Sequence, residues 1–164
     1  MFTAKQEFID EWNREAQATE RILNTLTDES LAQEISPGYN HLGGLGWHIT
    51  VAIHSLLSQT GLQFQHPAHI ETVPESAEEI ASAYSSTSKS MVKAVQEQWS
   101  DETLNETREF FGNERPVQSI LRDLIQHQAH HRGQMTVLMR QAGLKVPGVY
   151  GPSKEEWANL NSLG

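Results

Sequence analysis

Apolar side chains recur at intervals of three and four residues in four long segments of this 164-residue chain. That spacing places them on one face of an α-helix, whereas a half-buried strand would show strict alternation. The segments cover about residues 3–27, 42–59, 76–100 and 116–143. Four helices that each carry one apolar face can bury those faces against one another. The pattern therefore predicts an all-α protein, a four-helix bundle.

Several local signals mark where these helices begin and end. Ser76 and Glu79 have the spacing of a capping box at the start of the third helix. Pro116 lies near the first position of the fourth helix, where a missing N–H costs little. Gly61 and Gly143 follow the second and fourth helices, at the position where a left-handed backbone commonly ends a helix.

The connections between the helices are long. Residues 63–74 contain two prolines, and residues 101–115 are expected to include an extended piece around 106–111. No repeat or low-complexity segment interrupts the chain, so we expect one domain over residues 1–164 with long inter-helix connections.

Composition excludes several classes of protein. The absence of cysteine rules out disulfides, thiolate ligands and a cysteine nucleophile, and suits a reducing cytoplasm. The net charge of −9, with no Lys/Arg cluster, argues against nucleic-acid binding. The N-terminus lacks the apolar region of a signal peptide, and no apolar run approaches the ~20 residues of a membrane-spanning helix. We therefore expect a cytoplasmic protein with no nucleic-acid or membrane partner.

His127 and His131 are four residues apart in the fourth predicted helix, so both lie on one helical face. Neutral imidazoles at that spacing can bind one metal ion. We place this face towards the core, because the pair fills a gap in the apolar stripe between Leu124 and Met135. Burying two imidazoles costs free energy unless a partner satisfies them. A metal ion would do so, and hydrogen bonds to backbone or water are the alternative.

His48, near the start of the second helix, is the candidate third ligand. Gly43, Gly44 and Gly46 surround it, although glycine inside a helix costs ~1 kcal/mol relative to alanine. Gly133 stands close to His131 in the same way. We interpret these glycines as opening space around one site, with close helix contact as the alternative.

The remaining histidines are expected outside the site. His41 is a possible fourth ligand, but its place at the helix entrance favours a capping role. His54 lies about 120° around the helix from His48 and is expected on another face. His66 and His69 flank a proline in a loop and are expected to face solvent.

Three other polar residues lie close to the histidines in the fourth helix. A histidine ligand usually donates its second ring N–H to a neighbouring acceptor, and Asp123 or Gln134 could supply one. Arg132 is expected to point away from the ligand face into a surface or interface salt bridge.

Three stretches of this sequence resemble the DinB family of bacterial helical proteins. They are His48 after Leu45-x-Trp47, the run His127-x-x-x-His131-Arg132-Gly133-Gln134, and the tail Val146-Pro147-Gly148-Val149-Tyr150-Gly151-Pro152-Ser153-x-Glu155-Glu156-Trp157. The similarity spans nearly the whole chain. It implies the DinB/YfiT-like four-helix bundle, with His48, His127 and His131 as three metal ligands and nickel or zinc as the metal. It also implies a homodimer.

The resemblance implies a choice of activities. Characterised relatives include transferases and isomerases that use low-molecular-weight thiols, whereas others resemble metal-dependent hydrolases. No thiol-binding signature of the family matches this sequence residue by residue. Three histidines with an open position are typical of a catalytic metal, which lowers the pKa of a bound water or thiol.

We therefore expect an enzyme that activates a low-molecular-weight thiol or water for attack on a small electrophilic substrate. A non-catalytic metal- or ligand-binding helical bundle is the alternative. The apolar residues of the tail 146–157 must pack on the bundle or on a partner subunit, and the resemblance favours a homodimer.

Overall fold

The computed structural model describes residues 1–161 and confirms the predicted helical bundle. Four long helices carry the apolar faces, and a short fifth helix follows them. The helices are α1 (Lys5–Leu23), α2 (Leu42–Leu57), α3 (Ala77–Gln98), α4 (Val117–Gln141) and α5 (Lys154–Asn161). The four predicted long helices exist, and each is a few residues shorter than its apolar pattern.

The core lies between the four long helices. Trp12 of α1, Ile53 of α2, Ile80 of α3 and Leu121 of α4 are all fully buried in it. Helices α1 and α2 each pack against both α3 and α4. The contact between α2 and α4 matters most here, because those helices carry the three histidines singled out above.

The predicted helix ends are confirmed at four positions. The Ser76 hydroxyl accepts the Glu79 N–H at 3.3 Å, and Pro116 is the residue immediately before α4. Gly61 and Gly143 have φ angles of 85° and 76°, which are left-handed and strained for residues with a side chain.

The connection between α3 and α4 contains more structure than predicted. Strand β1 (Thr107–Phe110) confirms the expected extended piece, and it pairs antiparallel with β2 (Asn113–Pro116). Phe111 and Gly112 between them have φ angles of 49° and 78°, as in a two-residue hairpin turn that twists with its strands.

The tail after α4 packs on its own bundle. Val146 is buried, and Val149 packs against the core. Helix α5 is held by an ion pair between Arg140 of α4 and Glu155. Trp157 nevertheless remains 53% exposed, so the tail is only partly covered.

None of the helices within residues 1–161 is both long enough and apolar enough to cross a membrane.

Candidate metal centre

The structure brings together the three histidines that the sequence singled out. His48 comes from α2, and His127 and His131 come from successive turns of α4. The Nε2 atom of His127 lies 3.1 Å from Nε2 of His48 and 3.2 Å from Nε2 of His131. One ring nitrogen from each residue lies within 4.8 Å of the others. Within residues 1–161, no fourth His, Asp or Glu joins this group, which we call the histidine triad.

These separations match those of nitrogens that share one divalent ion. With metal–nitrogen bonds of about 2.0–2.1 Å, two ligands are roughly 3.3–3.4 Å apart at a tetrahedral angle and about 2.9 Å apart at a right angle. The observed 3.1 and 3.2 Å lie between those values. These two separations therefore fit a single metal ion of ordinary bond length.

A hydrogen bond sets the tautomer of the His131 ring. Nδ1 of His131 lies 2.7 Å from Oε1 of Gln134. An amide oxygen only accepts, so Nδ1 carries the ring proton and Nε2 presents its lone pair to the other two rings. Of the two candidate supporting residues, Gln134 therefore contacts the triad, whereas Asp123 forms an ion pair with Arg115 at 3.0 Å.

The three rings cannot satisfy one another. A proton on Nε2 of His127 serves at most one good hydrogen bond, although two neighbouring nitrogens face it. Nδ1 of His127 is itself buried and has no hydrogen-bond partner. A cation between the rings would accept lone pairs from all three Nε2 atoms and leave the His127 proton on Nδ1.

The surroundings keep two rings of the triad, those of His127 and His48, unprotonated. Burial and the neighbouring rings of His131, His48 and His130 lower the pKa of His127 to about 4. His48 is exposed as a residue, but its ring is partly desolvated where it packs 4.5 Å from the His131 ring, and this desolvation, followed by the proximity of His131, lowers its pKa below the usual range. Both rings are therefore neutral near neutral pH, which is the form that binds metal.

The predicted core position of the α4 pair is wrong. His127 and His131 are only half-buried, and His48 is exposed. The buried face of α4 instead includes two polar residues, Gln128 and Arg132, which are 0% and 1% exposed. The triad lies along the edge of the core, where one side of it is open to solvent.

Gln128 is a structural contributor to the site that sequence reasoning missed. Its Nε2 donates to the carbonyl oxygen of Ile49 at 2.8 Å, and its Oε1 accepts from the Tyr84 hydroxyl at 3.2 Å. Gln128 follows His127, and Ile49 follows His48. This hydrogen bond therefore ties α2 to α4 one residue beyond His48 and His127.

Arg132 points away from the triad into a salt bridge, as predicted, but the predicted surface position is wrong because the residue is buried. Its guanidinium forms an ion pair with Glu15, and it donates to the Glu15 carbonyl and the Thr19 hydroxyl, each at 3.0 Å. The Tyr150 hydroxyl lies against both charged groups. Arg132 thus joins α4 to α1 and to the tail on the side of α4 away from the triad.

The glycines divide between two roles. A side chain at Gly43 would crowd Leu31, and one at Gly46 would crowd Leu23 and Ile80, so these two glycines permit close packing. The prediction that they open space around His48 is wrong for this pair. Of the four glycines near the histidines, a Cβ at Gly44 would meet the His41 ring, and only at Gly133 would it meet nothing within 4 Å.

The remaining histidines lie outside the triad, as predicted. The His41 ring accepts the Gly44 N–H at 3.1 Å and caps α2. His54 stacks on His66 with ring centroids 3.4 Å apart. His69 is exposed in the loop between α2 and α3.

Comparison with known proteins identifies the family. A family model described as the DinB family matches residues 1–162. The chain belongs to the DinB family. An uncharacterised relative, YrdA of Bacillus subtilis strain 168, is 53% identical over 160 residues, which cover 98% of this chain and 96% of YrdA.

Two solved structures of DinB-like proteins share the fold. One from Bacillus cereus ATCC 10987 superimposes with a TM-score of 0.89 at 48% identity, covering 92% of this chain and all of the other. The second, YjoA from Bacillus subtilis, has a TM-score of 0.68 at 15% identity, with 87% and 97% coverage. At this low sequence identity, the similarity to YjoA shows only that the two proteins share a fold.

Proposed function

We propose that this DinB-family protein is a metal-dependent enzyme in which His48, His127 and His131 hold one divalent ion, nickel or zinc. The substrate is a small electrophile, and the nucleophile is a low-molecular-weight thiol or water. The observation that carries this proposal is the convergence of three Nε2 atoms at 3.1 and 3.2 Å.

The chemistry follows from the donor set. A divalent ion held by three neutral imidazoles lowers the pKa of a water or thiol so that the nucleophile is available at neutral pH. His131 is oriented for this role by Gln134. The exposed side of the triad, at His48, gives small solutes access to the site.

Metal content tests the proposal first. We expect about one equivalent of divalent metal per chain in tag-free protein supplied with zinc or nickel. His48→Ala, His127→Ala and His131→Ala should each abolish tight binding, because each removes one ligand. His66→Ala and His69→Ala are matched controls that remove histidines outside the triad. Less than about a tenth of an equivalent in the wild type, or equal losses in all five variants, would contradict the proposal.

Turnover separates an enzyme from a metal-binding bundle. A panel of small electrophiles is incubated with metal-loaded protein, with and without a low-molecular-weight thiol, and again after chelation. Thiol-dependent, chelator-sensitive loss of the electrophile supports the transferase form, and thiol-independent loss supports the hydrolase form. A full equivalent of metal without turnover favours the non-catalytic alternative.

The proposal includes a cytoplasmic homodimer. Trp157 and Tyr150 in the tail are 53% and 72% exposed, and exposed aromatic side chains are common where subunits meet. Light scattering should give a mass near twice 18.4 kDa. A mass near 18.4 kDa rejects the dimer.

A further inference from the structure

A cavity of about 390 Å³ is lined by His130 and Gln134, which both contact His131, although no histidine of the triad lines it. Its walls come from the loop before α2, which contributes Ile35, from Leu45 of α2, and from the stretch of α4 that contains Gly133 and Val137. The volume is within the roughly 300–1,000 Å³ of small-molecule sites. The triad and the cavity are therefore adjacent parts of one surface.

The lining is suited to an apolar group. Within the described residues 1–161, no Lys, Arg, Asp or Glu lines this cavity. Ile35 and Val137 are 60% and 50% exposed, although both are large aliphatic residues. Covering such side chains with an apolar ligand is favourable, because it removes apolar area from water.

Gly133 leaves room for such a group. It lies within the 25-residue helix α4, where glycine is less favourable than alanine. Gly46 is explained by the crowded side chains around it, but a Cβ on Gly133 would meet open space. No neighbouring protein atom therefore requires glycine at 133, and the missing side chain keeps this part of the cavity open.

We propose that this cavity binds an alkyl or aryl group of the electrophilic substrate and so presents the electrophile to the triad. The inference rests on the proposed function of the triad, because it assigns the apolar part of that substrate. The substrate class is then a small molecule with a reactive polar centre and an apolar arm.

Hydroxamates of different chain length provide the test, because they bind metal through one end. Acetohydroxamate and hexanohydroxamate are titrated into zinc-loaded protein by calorimetry. Each buried methylene is worth about fourfold in affinity, converted from ~0.8 kcal/mol. We expect hexanohydroxamate to bind at least about tenfold more tightly than acetohydroxamate.

Gly133→Leu places a side chain in the open space at this part of the cavity and should remove this chain-length preference. Gln141→Leu is the matched control, since it adds the same side chain at an exposed position of α4 outside the cavity. Circular dichroism confirms that both variants fold. Equal affinity of the two hydroxamates for the wild type, or a preference that survives Gly133→Leu, would overturn the proposal.

A metal-free measurement separates the failure of the cavity from that of the triad. 1-Anilinonaphthalene-8-sulfonate should fluoresce more strongly with metal-free wild type and with Gln141→Leu than with Gly133→Leu. If this difference appears but zinc does not bind, the proposed function fails and the apolar cavity stands. If the difference is absent, the cavity proposal fails. A wild-type dimer that becomes monomeric in Gly133→Leu would show a subunit interface here and would likewise overturn it.

Discussion

The Gln128 side chain offers a sharp test of how the bundle holds the triad in place. We expect Gln128→Met to be destabilising although the two side chains have similar shapes. The substitution removes hydrogen bonds to Ile49 and Tyr84 at 2.8 and 3.2 Å within a fully buried site. It leaves the Tyr84 hydroxyl, also fully buried, without the acceptor that Gln128 supplies.

The expected loss follows from those contacts. Two net hydrogen bonds contribute about 0.5–1.5 kcal/mol each, and a buried hydroxyl left without an acceptor adds to that cost. We therefore expect the free energy of unfolding to fall by about 2–3 kcal/mol. With a urea m-value of about 2 kcal/mol/M, the midpoint should fall by roughly 1–1.5 M.

The assay is urea denaturation of metal-free protein, followed by circular dichroism. Gln128→Met combined with Tyr84→Phe should recover part of the loss, because the orphaned hydroxyl is removed with its partner. A loss below about 0.5 kcal/mol would refute the hydrogen-bond assignment. Zinc affinity is measured separately, and an unchanged affinity in Gln128→Met would refute the link between this bond and the spacing of His48 and His127.

Three further predictions concern charge, helix propensity and pH. Arg132→Met should cost about 3 kcal/mol in the same denaturation assay, because it leaves the largely buried Glu15 carboxylate without its cation. Gly133→Ala should raise the free energy of unfolding by about 1 kcal/mol, because alanine favours the helix and its Cβ would meet nothing within 4 Å. An unchanged urea midpoint would contradict the finding that a side chain fits at this position without a clash. The pKa of His127 is lowered from 6.5 to about 4 in the folded protein, so between these pH values the unfolded chain binds more protons than the folded one. The free energy of unfolding of the metal-free protein should therefore fall as pH decreases from 6.5 to about 4, and it should fall less in His127→Phe. In the metal-loaded protein, bound zinc should be released progressively below about pH 6.

The sequence predicted the long helices because burial of one helical face imposes a periodic pattern. Capping residues such as Ser76 and Gly143 then set the ends closely. Helix α5 was missed because its eight residues are too few to display such a pattern. Strand β2 was missed because its pairing depends on a turn at Phe111, where left-handed backbone is unusual for an aromatic residue.

The candidate site likewise has features that the sequence predicted and features that it did not. Spacing alone put His127 and His131 on one helical face. The place of His48 among glycines near the start of the second helix made it the candidate third ligand, and the family resemblance pointed to the same residue. The depth of the site was misjudged because Gln128 and Arg132 look like surface residues, yet both find polar partners on other helices. Such partners are distant in sequence, so a buried polar residue cannot be separated from an exposed one by periodicity.

A metal ion bound by the histidine triad would also crosslink distant parts of the chain. His48 and His127 are 79 residues apart, and they belong to different helices. An ion held by both would stabilise the native bundle relative to the unfolded chain by about 2.7 kcal/mol at a free concentration of 100 times its Kd. The metal concentration would then affect how much of the protein is folded and resists proteolysis. Cells that lack the metal would therefore contain a smaller amount of the protein, in addition to having less of it in the active form.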